Sequence, residues 1–518
     1  MSVTRPAHQA RSQSSNVSMA LAADRLGVPA VVFFVMSAAT PLTVVAGVVT
    51  TGYAITGITG LPVAFVVIGA VLALFCVGYV SMARRVANAG AFYAYIARGI
   101  GRPFGVAGAW VALVAYNALQ VGLYGVVGAA ATPLLSAWFG IDVAWWVVAL
   151  CAWAIVAVLG LQHVDLNGRV LAVLLVTEVA VIVVYSLVFV ANPAGGTIQF
   201  DTLDPSALFT PGVGAILALG VLGFVGFEGA VVYSEEARDP QRTVRIASYV
   251  AVGVIAGLYT LSSWAMSVAT GPDQIVAQSQ SQSSELIFTL AGTHLGGVVV
   301  DIGRALFVTS VLAAMISFHN TTARYIFALG RERVLPEVLG RTSPRTSSPK
   351  LGSILQSLVG LIVIVLYAVA GWDPLVQLFF WGGTTGGLGV LALITVTSIA
   401  IVVYFLRHPT EDTVWHRLIA PVLSALALIT VLALALTNFA TLLGVEPTSP
   451  LRWGIPSAYV AIALLGIIWA LILNVRRPDV YATIGLGAKS ATVKTVARSA
   501  DGRDAPDQPE FDWTGERR

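Results

Sequence analysis

Charge is what this chain has least of. Asp, Glu, Lys and Arg make up 11% of its 518 residues, against ~25% in an ordinary soluble domain. Apolar residues make up 57%, and the mean hydropathy is +0.84. A soluble globular protein is excluded, and a polytopic helical membrane protein is expected. There are two cysteines, Cys76 and Cys151, both inside apolar runs. That excludes a disulfide framework, and both are read as small core residues. The six histidines, His8, His163, His294, His319, His408 and His416, are scattered, and none forms HExxH or another metal spacing. No GxxxxGK[ST] loop is present to hold ATP, and no GxSxG elbow to present a nucleophile. Neither an enzyme nor a cofactor or metal is therefore expected. The first 27 residues hold Arg5, Arg11 and Arg25 and lack the apolar core of a cleavable signal peptide.

What the chain does have is long apolar windows. They fall near 28–55, 60–82, 103–132, 144–162, 168–191, 212–233, 246–269, 297–328, 351–370, 375–406, 416–442 and 454–475. Each suits a span of ~20 residues, which predicts twelve transmembrane helices. The charges test that map. Arg84, Arg85, Arg98, Arg102, Arg169, Arg238, Arg242, Arg245, Arg324, Arg331, Arg333, Arg407, Arg417, Arg476 and Arg477 fall on one side. Asp142, Asp201, Asp204, Asp273, Glu285, Asp373 and Glu446 fall on the other, with Arg304 and Arg452 the only basic residues there. By the positive-inside rule both termini are expected in the cytoplasm. The expected layout is a cytosolic segment over 1–27, a membrane domain over 28–478 and a disordered cytosolic tail over 479–518.

Two windows are broken by their own residues. The first contains Ser37-Ala38-Ala39-Thr40-Pro41; Pro41 donates no backbone hydrogen bond and disfavours helix at Thr40. The sixth reads VLGFVGFEGAVVYSEE, with Gly223 and Gly226 flanking Phe224 and Glu228 close behind. A carboxylate at depth costs several kcal/mol, on the scale of ~2.5–3.5 per charge. Paired interruptions in corresponding positions of two halves point to a transporter site at the bilayer midplane. Freed N–H groups there favour an anion, and freed carbonyls a cation such as an ammonium.

The stretch GFVGFEGAVVYSEEARDPQRTVRIA resembles the sixth-span signature of the amino acid–polyamine–organocation (APC) superfamily. NAGAFYAYIARGIG at 88–101 and FHNTTARYIFALGRERVLP at 318–336 resemble its third-span entry and eighth-span end. The resemblance covers about 28–475. It implies the LeuT-type fold: an all-α protein with two inverted five-helix repeats, about 28–191 and 212–406, and two extra helices over about 416–475. It also implies secondary transport of amino acids or related amines by alternating access. The first break departs from the G-S/A-G form of many amino acid permeases, which weakens the assumption of a standard α-carboxylate cradle. Its ATPLTV form looks more like the branch that includes putrescine importers. Leu222 replaces a frequent aromatic gate, leaving Phe224 to supply a gating ring.

The expected substrate-binding residues are Ala38, Ala39 and Thr40 in the first break, Leu222, Gly223, Phe224 and Gly226 in the sixth span, and Ser317 in the eighth, where Phe318 is a weaker candidate with simple packing as its alternative. The third span offers Tyr116, Asn117, Gln120 and Tyr124, of which the last three share one face. That face lines a polar path or serves helix–helix hydrogen bonds. Glu178, mid-span in LAVLLVTEVAVIVVY, stands where proton-coupled relatives often place a lysine. It and Glu228 are the expected coupling or gating residues, with a buried neutral carboxyl bonded to a neighbouring carbonyl as Glu178's structural alternative and capping of freed N–H groups as Glu228's. Glu235 and Glu236 are expected to meet cytosolic arginines in an inner gate, and Asp301 and Arg304 to pair locally. The expectation is an inner-membrane permease for an amino acid or amine, in the lipid bilayer, driven by protons, without ATP or nucleic acid. The membrane potential supplies ~2.3 kcal/mol per charge per 100 mV. An obligate exchanger or polyamine importer is the alternative, and a non-transporting membrane sensor a distant one.

Overall fold

The computed structural model of the chain describes residue 21 and residues 24–86, 88–409 and 411–487. Most of the expected 1–27 segment and residues 488–518 of the expected tail lie outside the described residues. Within them every regular element is a helix, with one isolated parallel bridge between Leu26 and Ala237.

The first window gives α1 (Val28–Ala38) and α2 (residues 41–56, wound as a π-helix over Val44–Val49). There follow α3 (Leu61–Ala83), the short α4 (Phe92–Gly99), α5 (Arg102–Phe139), α6 (Trp145–Gly160) and α7 (Val164–Ala191). The sixth window gives α8 (Val213–Phe224) and then 3-10 turns over Phe227–Val231 and Ser234–Glu236. Then come α9 (Pro240–Thr270), α10 (Gly297–Arg331), α11 (Lys350–Ala370), α12 (Pro374–Arg407), α13 (Trp415–Thr437), α14 (Leu451–Arg476) and α15 (Pro478–Thr483).

Eleven of the described helices, counting each interrupted window once, are long and apolar enough to cross a membrane. The expected fourth span is the exception. α6 has 16 residues and rises ~24 Å, short of the ~30 Å hydrocarbon core. Cys76 is buried, but Cys151 is exposed on α6, so the expectation that both are core residues holds only for the first. α6 is apolar on all sides, and no sequence pattern marks its buried face.

The interrupted helices form the centre. Their apolar windows are 78% and 89% buried, against 28% for α11 and 22% for α14. The outer helices instead present large apolar side chains outward, Val369 and Val475 among them, as lipid-facing surface requires. α5 packs against α10, α12 and α14, and α9 against α3. Small residues permit close approach: a Cβ on Gly386 would meet the Ala115 carbonyl at 2.7 Å.

On the arginine-rich face the chain beyond α14 is docked, in contrast to the tail expected from Asp479. The Glu332 carboxylate, fully buried at the end of α10, accepts from Asn88 Nδ2 at 3.0 Å and from the Gly485 and Gly487 N–H groups at 2.6 Å each. The Tyr93 hydroxyl donates to it as well. Glycines at 485 and 487 supply the positive φ of 78° and 61° that bends the backbone around that carboxylate. Asp479 also pairs with Arg333 at 3.1 Å. Glu332→Gln turns one acceptor oxygen into a donor and leaves buried partners unpaired, a loss of about 1–3 kcal/mol. The expected result is faster amide hydrogen exchange over residues 478–487 than in the parent, read by mass spectrometry.

Candidate functional site

Both breaks are real, and they meet. α1 ends at Ala38, and Thr40 takes a left-handed φ of 43° before Pro41 restarts the helix. α8 ends at Phe224, Val225 is extended, and Gly226 has φ 115°. A Cβ on Gly226 would lie 2.5 Å from Ala38 Cβ and 3.1 Å from Ala39 N. No side chain fits between the two breaks.

Several backbone groups at the breaks find partners within the protein. Leu42 N–H donates to Glu178 Oε1 at 2.7 Å, and Ser310 Oγ donates to the same oxygen at 2.9 Å. Gly226 N–H donates to Glu228 Oε2 at 2.8 Å, and the Tyr116 hydroxyl to Glu228 Oε1 at 2.8 Å. The Tyr259 hydroxyl donates to the Ala39 carbonyl at 2.7 Å, Ser317 Oγ to the Phe34 carbonyl at 2.8 Å, and the Tyr79 hydroxyl to the Glu228 carbonyl at 2.9 Å. Glu178 and Glu228 are both buried. Each acid caps the start of a half-helix, where a carboxylate is favoured.

Two chambers adjoin the breaks. One is walled by Ala38, Ala39, Thr40, Thr43, Leu222, Val225 and Thr384, and runs along α2 past Val48 and Thr51 to Phe379 and Phe380, away from the arginine-rich face. The other, smaller chamber lies among Phe34, Tyr116, Gly226, Glu228, Tyr233, Ser317 and Thr321. Ala38 and Phe318 border both. Phe318 is thus the ring between the chambers. Phe224, the expected gating ring, packs instead with Phe65 and Tyr259, at centroid distances of 6.4 and 6.3 Å.

Of the expected site residues, Ala38, Ala39, Thr40 and Leu222 line the larger chamber, and Gly226, Ser317 and Glu228 the smaller. Gly223 packs against Phe65, Val44 and Tyr259. Asn117 donates to the Leu113 carbonyl of its own helix at 2.7 Å, and Gln120 to the Tyr124 hydroxyl at 3.3 Å. Neither borders a chamber. The face of α5 that does carries Tyr116, Leu119 and Leu123, about 100° round the helix.

Below the smaller chamber the arginine-rich face is sealed. Arg324 Nε and Nη2 donate to the two Glu236 oxygens at 2.6 and 3.0 Å, with both side chains almost fully buried. The guanidinium stacks over Tyr233 at 4.7 Å, and Tyr233 stacks on Phe34 at 4.5 Å. Arg331 makes a second two-pronged pair with Glu235, which also accepts from the Ala89 N–H. The stretch before α1 adds main-chain bonds, Leu26 N–H to the Glu236 carbonyl and Arg238 N–H to the Leu26 carbonyl. The expected glutamate–arginine network is thus present, its partners being Arg324 and Arg331. At the opposite end Arg304 pairs with Asp301 at 3.5 Å, as expected, and with Glu285 at 2.9 Å.

The sequence pattern of the amino acid permease family matches residues 26–479, which contain both breaks, both chambers and the seal. The chain belongs to that family. Membership places it among multi-pass membrane permeases rather than enzymes. Among curated relatives, this permease is 26% identical to cationic amino acid transporter 7, chloroplastic, of Arabidopsis thaliana, over 54% of this chain and 44% of that one. It is 25% identical to the low-affinity putrescine importer PlaP of Escherichia coli, over 55% of this chain and 63% of that one. It is 24% identical to the methylthioribose transporter of Bacillus subtilis, over 46% and 47%. The matched stretches span about half the length of these relatives.

Proposed function

We propose that this permease is a secondary active transporter that takes up an amino acid or a related amine across the cell membrane by proton-coupled alternating access. The observation that carries this reading is the contact of Gly226 with Ala38 and Ala39 where two central helices part, with a chamber on each side. In this reading the arginine-rich face is cytoplasmic, α6 is a twelfth crossing, and residues 28–191 and 212–406 are the two inverted repeats. The substrate enters the larger chamber and rests against Ala38, Ala39, Thr40 and Leu222. It passes Phe318 when the helices rock and leaves once the Arg324–Glu236 and Arg331–Glu235 pairs part. The names of the relatives, two for cationic amino acids or putrescine, fit a nitrogenous substrate.

Glu178 and Glu228 are the coupling groups. Each accepts from a backbone N–H that exists only because a helix is broken. A hydrogen bond to an ionised carboxylate is roughly twice as strong as one to a neutral group. Taking up a proton therefore loosens the cap and shifts the break. The test is uptake into proteoliposomes of the purified protein. An inward proton gradient of one pH unit is worth about 1.4 kcal/mol per proton and should raise accumulation about tenfold. Glu178→Gln and Glu228→Gln should each weaken that response. Uptake that ignores the gradient in the parent would remove proton symport and leave exchange, detected as counterflow.

A further inference from the structure

At each break, an amide that a ligand anion could claim is already taken by an acid of this chain. Pro41 has no N–H, so Leu42 carries the first donor of α2, and it is held by Glu178. Gly226 N–H is held by Glu228. Three neighbouring amides are engaged too: Ala39 by the Val35 carbonyl, Thr40 by the Ser37 carbonyl and Val225 by the Leu222 carbonyl. The other two helix ends at the breaks, Ala38 of α1 and Phe224 of α8, are C-terminal. Such ends leave carbonyls without intrahelical partners and carry partial negative charge. The wall of the larger chamber contains no Lys, Arg or His. Its polar side chains are threonines, and Thr384, which is buried, has a hydroxyl with no hydrogen-bond partner. Thr43, also in that wall, reaches Glu178 through Ser310, at 3.2 and 2.9 Å.

We propose that Glu178 stands in for a substrate carboxylate, so that the larger chamber selects an organic ammonium without a carboxylate over the amino acid that matches it. The proposal rests on the amino acid or amine reading above and narrows it. A carboxylate entering this chamber loses its water, meets no cation in the wall and finds the Leu42 and Gly226 amides already held by acids. An ammonium meets helix-end carbonyls and the Thr384 hydroxyl, which can accept from it. The argument holds whether or not Glu178 carries a proton, since Oε1 accepts from Leu42 in either state.

The test compares matched pairs differing by one carboxylate: putrescine and ornithine, cadaverine and lysine, agmatine and arginine, isopentylamine and leucine, phenethylamine and phenylalanine. The full-length protein in nanodiscs is titrated with each compound while its thermal midpoint is followed, because ligand binding raises apparent stability. In the pairs that bind, the amine should bind about tenfold or more tightly than its partner. An amino acid that binds as well as its amine, or better, overturns the proposal while the transport reading stands. No response to any compound, with no uptake, overturns the amino acid or amine reading and this proposal with it. Glu178→Ala exposes Leu42 N–H and should shrink the amine preference about tenfold, whereas an unchanged ratio removes Glu178 from the account. The comparison in the unaltered protein decides the substrate class even if that variant fails to fold.

Discussion

Gly226→Ala should yield a permease that reaches the membrane but neither holds nor moves its substrate. Two costs coincide at this residue. Its φ of 115° lies where a side chain is strained, at about 1–3 kcal/mol. The new methyl carbon would also sit 2.5 Å from Ala38 Cβ and 3.0 Å from the Ala38 carbonyl carbon. Overpacking of that kind costs about 1–3 kcal/mol more. The sum, about 2–6 kcal/mol, is released by pushing the breaks apart, and that moves Ala38 and Ala39 in the chamber wall. The Gly226 N–H would leave Glu228 in the same movement. The expected readout is a thermal midpoint lowered by several degrees and the loss of ligand-induced stabilisation. Gly229→Ala is the control. It lies three residues on, and a Cβ there would meet nothing within 4 Å, so its midpoint should stay near the parent's.

The contrast between those two glycines shows what the sequence makes legible. The breaks are local events. Pro41 lacks a donor and Gly226 permits a forbidden φ, and both facts stand in the residues themselves. The helix extents follow equally well, because apolar runs of span length have no other use. The partners of the breaks are another matter. Glu178 lies 136 residues from Leu42, and nothing local to either marks the pair. A break therefore reads as open to an anion when the protein has already supplied one. The polar face of α5 misleads for a related reason. Asn117 and Gln120 stand out in an apolar helix, yet they bond within α5, and Tyr116, Leu119 and Leu123 line the chambers. In a helix buried on several sides, polarity no longer identifies the face that matters. Phe318 and Phe224 are alike in sequence. Only the packing of Phe224 on Phe65 and Tyr259 leaves Phe318 as the ring between chambers.

Arg324→Ala should unlock the arginine-rich face. Arg324 and Glu236 are paired at 2.6 and 3.0 Å where their side chains are 2% and 1% exposed. Removing one partner of such a pair costs about 3–5 kcal/mol, because the other charge stays buried without compensation. The loss reaches further here. The guanidinium covers Tyr233, which stacks on Phe34 of α1, so a single side chain ties α10, the second break and the first interrupted helix together. Replacing both charges with methionine removes the orphaned carboxylate while retaining bulk, and Arg324→Met with Glu236→Met should recover much of the midpoint lost in Arg324→Ala. Stability and sealing are then separable. A cysteine placed at Thr321, in the smaller chamber, with Cys76 and Cys151 replaced, should resist a membrane-impermeant thiol reagent applied from the arginine-rich side of the parent. It should label readily in Arg324→Ala. Rapid labelling in the parent would mean that the two ion pairs do not close the path, and the rocking scheme would lose its inner gate.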